Sequence, residues 1–357
     1  MKHANRELGR LIAKALTGVW REENVAPLEL TPPELEQITP LLMGSGGAAL
    51  GWKRVRETEL RTSACGELLQ QAFRLQSLQA ELQEQKIETV FRLLREASLD
   101  GMLAKGWVAA KLYPVSTLRP YGDIDLCVRP RDQKQVAEIL NSEEARGCWV
   151  DLHTKFSEIA DRTLDELFAR SRLRTVKNEQ ARVISDEDHL ALLCIHFLKH
   201  GAWRPLWLCD VAAAVESAPA AFDWNACLGT DDTRAGWIKS AFALAHRVLG
   251  ADLSRVPEKF RNYSLPDWLV ETVYQAWSNP YAAFQPPMSH PVPISELWNK
   301  PASWANGLRE RWPNPIIATI SVHGKLNNAP RLPYQIANCL SRAARLVIRP
   351  VDEMQEH

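Results

Sequence analysis

The sequence predicts an α+β protein in which a short α/β core lies between two helical regions. Three observations carry that expectation. Apolar residues recur at helical spacing over a long Glu/Gln/Leu/Arg/Ala stretch from about residue 57 to 99. The next fifty or so residues break into short apolar runs that read strand, helix, strand, helix, strand. After Asp161 the texture becomes helical again, with helix starts and stops marked by Ser, Asp, Pro and Gly.

Taken in order, Thr31 followed by two prolines and Glu34 reads as a helix start in TPPELEQITPLL. GSGGAALG, Gly44 to Gly51, reads as a turn or hinge. Leu68, Leu69, Phe73, Leu75, Leu78, Leu82, Ile87, Val90, Phe91 and Leu94 then mark two helices or one bent one. Their heptad drifts, so a bundle within the chain is expected rather than a coiled coil. VAAKLY is a short helix, DIDLCV a strand, RPRDQKQVAEILN a helix opened by Pro130 and Asp132, and GCWVDLH a further short strand. Ser185, with Asp188 three residues on, caps SDEDHLALLCIHFLKHG, which Gly201 ends. WRPLWLCDVAAAVES and DTRAGWIKSAFALAHRVLG are the next helices. From Asn279 to Pro315 eight of the 22 prolines accumulate beside Trp298, Trp304 and Trp312, which reads as an extended, ordered arm. The tail RLPYQIANCLSRAARLVIRP is a helix carrying Arg342, Arg345 and Arg349.

The bulk composition narrows the function. Forty-three acids balance 43 bases, so no global field draws the chain to long nucleic acid. No run approaches the roughly 20 apolar residues of a membrane span, and charges interrupt the first apolar residues where a signal peptide would be continuous. The seven cysteines are scattered without a CxxC pair, as expected of reduced thiols in a cytoplasmic protein without structural zinc.

The chemistry gathers in RPYGDIDLCVRP. Residues i and i+2 of a strand share a face, so Asp123 and Asp125 project together while Ile124 and Leu126 enter the core. Two converging carboxylates repel unless a cation lies between them, and oxygen donors favour a hard ion such as Mg²⁺. Asp151, 26 residues after Asp125, lies on a second apolar–acid–apolar segment; one crossover would make the strands neighbours. Three carboxylates on adjacent strands can hold two divalent ions.

The order of short strand, glycine, helix, GDIDL and a distal apolar–acid–apolar strand resembles the DNA polymerase β-like nucleotidyltransferase superfamily. More narrowly, Lys105-Gly106, Tyr113-Pro114, Arg119-Pro120, Asp123/Asp125 and Asp151-Leu152-His153 resemble a group of largely uncharacterised bacterial nucleotidyltransferases. HFLKHGAWRPLWLCDVA is similar to the helical half of that group, and the likeness runs from about residue 85 to 215. The resemblance implies a small mixed-sheet nucleotidyltransferase core with flanking helical regions. On that basis the chain divides into 1–98 (N-terminal helical region), 99–156 (nucleotidyltransferase α/β core), 157–278 (C-terminal helical domain) and 279–357 (Pro/Trp-rich arm and C-terminal helix). It implies transfer of a nucleoside monophosphate from an NTP, ATP among them, to an acceptor hydroxyl, with two Mg²⁺ ions on Asp123, Asp125 and Asp151. Asp151 would also serve or assist as base. Gly106 would let backbone N–H groups approach the triphosphate, and Lys105 and Arg119 would neutralise phosphate charge. Trp107 stands where the superfamily commonly has serine, and Thr154 where the narrower group has tryptophan. The alternative is a nucleotidyltransferase-like module that binds nucleotide or a partner without turnover.

His153 shares a face with Asp151 by strand parity, which puts it near the metals and on the candidate acceptor side, or in a hydrogen bond within the structure. His196 and His200, spaced i, i+4, share a helix face with His189. No glutamate stands between them in the HExxH sense, so these three histidines are expected in helix packing or on the acceptor side of the cleft. The acceptor, whether small molecule, peptide or protein, is not specified by the sequence.

Overall fold

A computed structural model describes residues 2–23, 25–279 and 312–348 of the chain. Residues 280–311 of the Pro/Trp-rich arm, Trp298 and Trp304 among them, lie outside the described residues, as does Arg349. The architecture is α+β: fifteen helices among the described residues surround one five-stranded mixed sheet.

Four helices lead in: α1 (Lys2–Leu16), α2 (Pro32–Ser45), α3 (Ala48–Val55) and α4 (Ala64–Glu96). The start of α2 follows its sequence signals. Thr31 and Glu34 form a reciprocal capping box ahead of Pro32 and Pro33, and Gly46 closes the helix at φ 75°. The hinge expected over Gly44 to Gly51 shrinks to the break between α2 and α3. Gly51 lies inside α3, where a Cβ would come within 3.0 Å of Leu42 and 3.5 Å of Leu69, so the glycine serves close helix packing. Within the 57–99 stretch, Ala64–Glu96 form one 33-residue helix capped by Ser63. Ile87, Val90, Phe91 and Leu94 on its second half are buried against the sheet, whereas Leu68, Leu75, Leu78 and Leu82 are exposed.

The sheet is built from β1 (Gly101–Leu103), β2 (Ile124–Val128), β3 (Val150–His153), β4 (Arg172–Val176) and β5 (Glu179–Val183), in the order β3-β2-β1-β5-β4. Helices α5 (Gly106–Ala110), α6 (Gln133–Leu140) and α7 (Leu164–Arg170) are interleaved with it. β1 runs antiparallel to β2 and parallel to β5, while β2 and β3 are parallel. The β4–β5 hairpin corrects the expectation that only helices follow Asp161. Its strands read RLRTV and EQARV, and four of the five β4 residues are exposed, so no apolar alternation announces them. Its two-residue turn is Lys177-Asn178, with Lys177 at φ 52°, without the glycine that marks such turns in sequence.

The chain continues through α8 (Asp186–Lys199), α9 (Pro205–Ser217), α10 (Trp224–Leu228), α11 (Asp232–Leu249), α12 (Glu258–Arg261), α13 (Asp267–Trp277), α14 (Pro315–Ser321) and α15 (Leu332–Ile348). Helix α8 is the central post, apolar nearly all round and buried from Glu187 to Ile195. Ser185 caps it, and Asp188 is held by Arg162 and Arg170. Helix α1 packs on α13 and shares a core with α8, α9 and α11, so elements from distant parts of the chain join one core. Among the described residues no helix is long and apolar enough to cross a membrane.

Candidate metal centre and cleft

Strands β2 and β3 place the acids. Their register pairs Asp125 with Asp151 and Cys127 with His153. Cys148, Val150 and Leu152 pack toward the cluster formed with α4, so alternation turns Asp151 and His153 to the opposite face. His153 Nε2 lies 3.1 Å from Asp125 Oδ1 and 3.1 Å from Asp151 Oδ2. The three residues offer one ligand atom each within 4.8 Å of one another. Two of those atoms are carboxylate oxygens, so the donor set fits a divalent cation, with the His153 nitrogen either ligating or donating to the acids. Asp123 is exposed one residue before β2 and lines the same cavity, outside this group of three.

Lys105 Nζ reaches Asp125 Oδ1 at 2.7 Å. Burial alone would raise the Asp125 carboxyl, but the His153 hydrogen bond and the Lys105 charge outweigh it and hold the group below the ordinary carboxylate range. Lys105 is held at φ 48° between β1 and α5, a region costing a non-glycine residue about 1–3 kcal/mol. That backbone turns its ammonium onto Asp125. Gly106 then admits the neighbouring loop: a Cβ there would stand 3.0 Å from Tyr121 Cβ. Trp107 is buried in the core with its Nε1 on Glu84 at 3.0 Å, so this position is an anchor to α4.

Arg119 lines the cavity, but its guanidinium is bound from behind. Nη2 donates to Asp210 Oδ2 at 2.8 Å, Nε donates to the same oxygen at 3.2 Å, and Nη1 donates to the Pro120 carbonyl at 3.1 Å. Tyr113 donates to Asp210 Oδ1 at 2.8 Å. Asp210, fully buried on α9, therefore joins the Tyr-Pro and Arg-Pro motifs to the helical post. Arg204 instead donates to the Ser45 carbonyl at 2.8 Å.

The far wall comes from α8, α9 and the turn after β3. His196, His200 and Trp207 form a ring cluster, with centroids 4.5 Å apart between the histidines and 4.6 Å from His196 to Trp207. Buried Glu158 accepts from Lys199 at 3.0 Å and faces His196 Nδ1 at 3.8 Å. Burial would raise its carboxyl; His196 and Lys199 bring it well below the usual range. The cavity is about 620 Å³, and Lys105, Gly106, Arg119, Asp123, Asp125, Asp151, His153, His196 and His200 all line it. Lys155, Glu158, Lys199, Tyr121 and Trp207 line it too, and none of them is assigned a role from the sequence.

His189 lies behind this wall, buried on α8. Burial lowers its pKa from the usual 6.5 to about 4. Between those values the unfolded chain takes up a proton that the folded chain refuses, so stability is full above about pH 6.5 and falls toward pH 4. The difference corresponds to about 3 kcal/mol. Urea titrations at pH 7.5 and 5.0 are expected to show a smaller acid loss for His189→Gln than for the wild type. An identical loss would mean that His189 protonates without penalty.

The family described as an uncharacterised nucleotidyltransferase matches residues 36–248, more than half of the chain and all of the cleft described above. No curated protein and no solved structure matches the chain significantly. With the paired acids of β2 and β3, the mixed sheet and this match in hand, the chain belongs to that nucleotidyltransferase family.

Proposed function

We propose that the protein transfers a nucleoside monophosphate from an NTP to an acceptor hydroxyl in a Mg²⁺-dependent reaction, releasing pyrophosphate. The observation that carries this reading is the in-register pair Asp125–Asp151, with His153 bridging it, at the floor of a cavity large enough for a nucleotide. Two Mg²⁺ ions held by Asp123, Asp125 and Asp151 would offset the triphosphate charge and acidify the acceptor hydroxyl. Asp151, the exposed acid of the pair, takes the hydroxyl proton as the oxygen–phosphorus bond forms. The bond from the α-phosphorus to pyrophosphate breaks, and the leaving oxygens develop charge beside Lys105 and the α5 backbone at Gly106. Arg119 adds positive potential from its fixed seat on Asp210. His153, His196 and His200 face the acceptor, a small molecule, peptide or protein side chain. In this reading residues 99–156 carry the phosphate chemistry and 157–278 the acceptor wall. All seven cysteines are free thiols, as a reducing cytoplasm would keep them.

A second reading has one specific support. Trp107, built into the core, supplies no hydroxyl to a phosphate, which suits a module that binds nucleotide without turnover.

Thermal unfolding with each of the four NTPs, with and without Mg²⁺, tests binding. A nucleotide at a hundred times its Kd adds about 2.7 kcal/mol, a rise of several degrees. The rise is expected only with Mg²⁺ present, and its absence with every nucleotide would overturn both readings. Labelled nucleotide appearing on an acceptor then separates transfer from binding alone.

A further inference from the structure

Trp149 is 74% exposed, more than any other large apolar side chain among the described residues. It immediately precedes β3, and its carbonyl accepts from Ile124 N–H at 2.8 Å, so the parallel pairing already includes it. Cys148, Val150 and Leu152 face the α4 side. Alternation therefore turns Trp149 to the face of Asp151 and His153, and the register sets it beside Asp123. An indole left in water here is not a packing residue.

We propose that Trp149 is the platform on which the nucleobase of the NTP stacks; this rests on the nucleotidyl-transfer reading. The sheet lays out the nucleotide in order. Lys105 follows β1, Asp125 is on β2, and Asp151 is on β3 at the edge of the sheet. A triphosphate with its leaving end at Lys105 and its reacting phosphorus over Asp125 and Asp151 directs its nucleoside toward the β3 edge. Trp149 lies two residues from Asp151, about 7 Å along the strand, which is the reach of one ribose. Trp149 is not among the residues lining the cavity but stands beside Asp123, which is, and the one indole among the described lining residues, Trp207, is already engaged. Trp207 meets His196 and Trp203 edge-on, and Arg204 sits 5.5 Å over its ring. Stacking on an indole accepts any base, because every base has a π-face. The site therefore grips the base by its plane and leaves discrimination among the four NTPs to other contacts.

The test compares Mg²⁺-NTP with Mg²⁺-tripolyphosphate, which has the phosphates and no base, by calorimetric titration of wild type, W149A and W149F. The expected result is about tenfold weaker NTP binding in W149A, unchanged tripolyphosphate binding, and near-complete recovery in W149F. NTP binding by W149A equal to wild type overturns the proposal, and so does an equal loss of both ligands, which marks a general distortion of the site. A wild-type chain that binds neither ligand would fail the nucleotidyl-transfer reading itself, and this assignment with it.

Discussion

Asp125→Asn is expected to lower transfer by at least about 10³-fold, some 4 kcal/mol of lost transition-state stabilisation. The substitution keeps the volume and removes one negative charge from the floor of the cleft. What remains is an amide between Lys105 and His153, two groups that meet a carboxylate in the native chain. Asp125 is buried, so part of the effect falls on folding; losing one partner of a buried charge pair costs up to about 3–5 kcal/mol. Asp151→Asn separates the two effects. Its side chain is 56% exposed, and surface changes of this kind stay within about 0.5 kcal/mol. Transfer is expected to fall by a similar factor in Asp151→Asn with an unmoved melting temperature. Initial rates at saturating NTP and Mg²⁺, read beside thermal melts, check both. Mg²⁺-dependent transfer that survives in either variant would sink the assignment.

Why this site was legible and its surroundings were not has a physical cause. In the sequence, Asp123, Asp125 and Asp151 read as acids in apolar strands, an expensive pattern that demands an explanation, and strand parity predicts which side chains share a face. The structure adds a refinement: Asp123 precedes the strand and is exposed, and the close group is Asp125, Asp151 and His153. The capped helices α2 and α8 were readable because caps act within a few residues. The β4–β5 hairpin was not, because its strands are polar and are held by distant partners such as Arg95 on Glu179 and Arg182 on Asp100. Glu158 was invisible for the same reason: its partners, Lys199 and His196, lie some 40 residues away. Arg119 looked like a phosphate ligand in sequence, yet it is seated by a carboxylate 91 residues later, a pairing that no local pattern encodes.

That pairing gives Asp210 a large expected effect on stability. Arg119 and Asp210 side chains are 7% and 0% exposed, and Tyr113 completes the group. Burial alone would lower the Arg119 pKa; the Asp210 charge outweighs it and raises it. Asp210→Ala leaves a guanidinium in the interior without its counter-charge and strips the Tyr113 hydroxyl of its acceptor. A loss of about 3–5 kcal/mol is expected in urea denaturation. Arg119→Met alone strands the carboxylate and is expected to lose a comparable amount. The pair Arg119→Met with Asp210→Leu removes both charges and should recover part of the stability, since apolar replacement of a buried ion pair is often neutral or stabilising while the Tyr113 hydroxyl still lacks its acceptor. A single Asp210→Ala variant within about 1 kcal/mol of wild type would show that water reaches the group and that the joint is not sealed. The recovered double variant then isolates Arg119's part in the cleft. If its guanidinium adds potential at the triphosphate, the refolded double variant binds Mg²⁺-tripolyphosphate more weakly than wild type. If the residue serves only to fasten the loop before Asp123 to α9, binding returns with the fold.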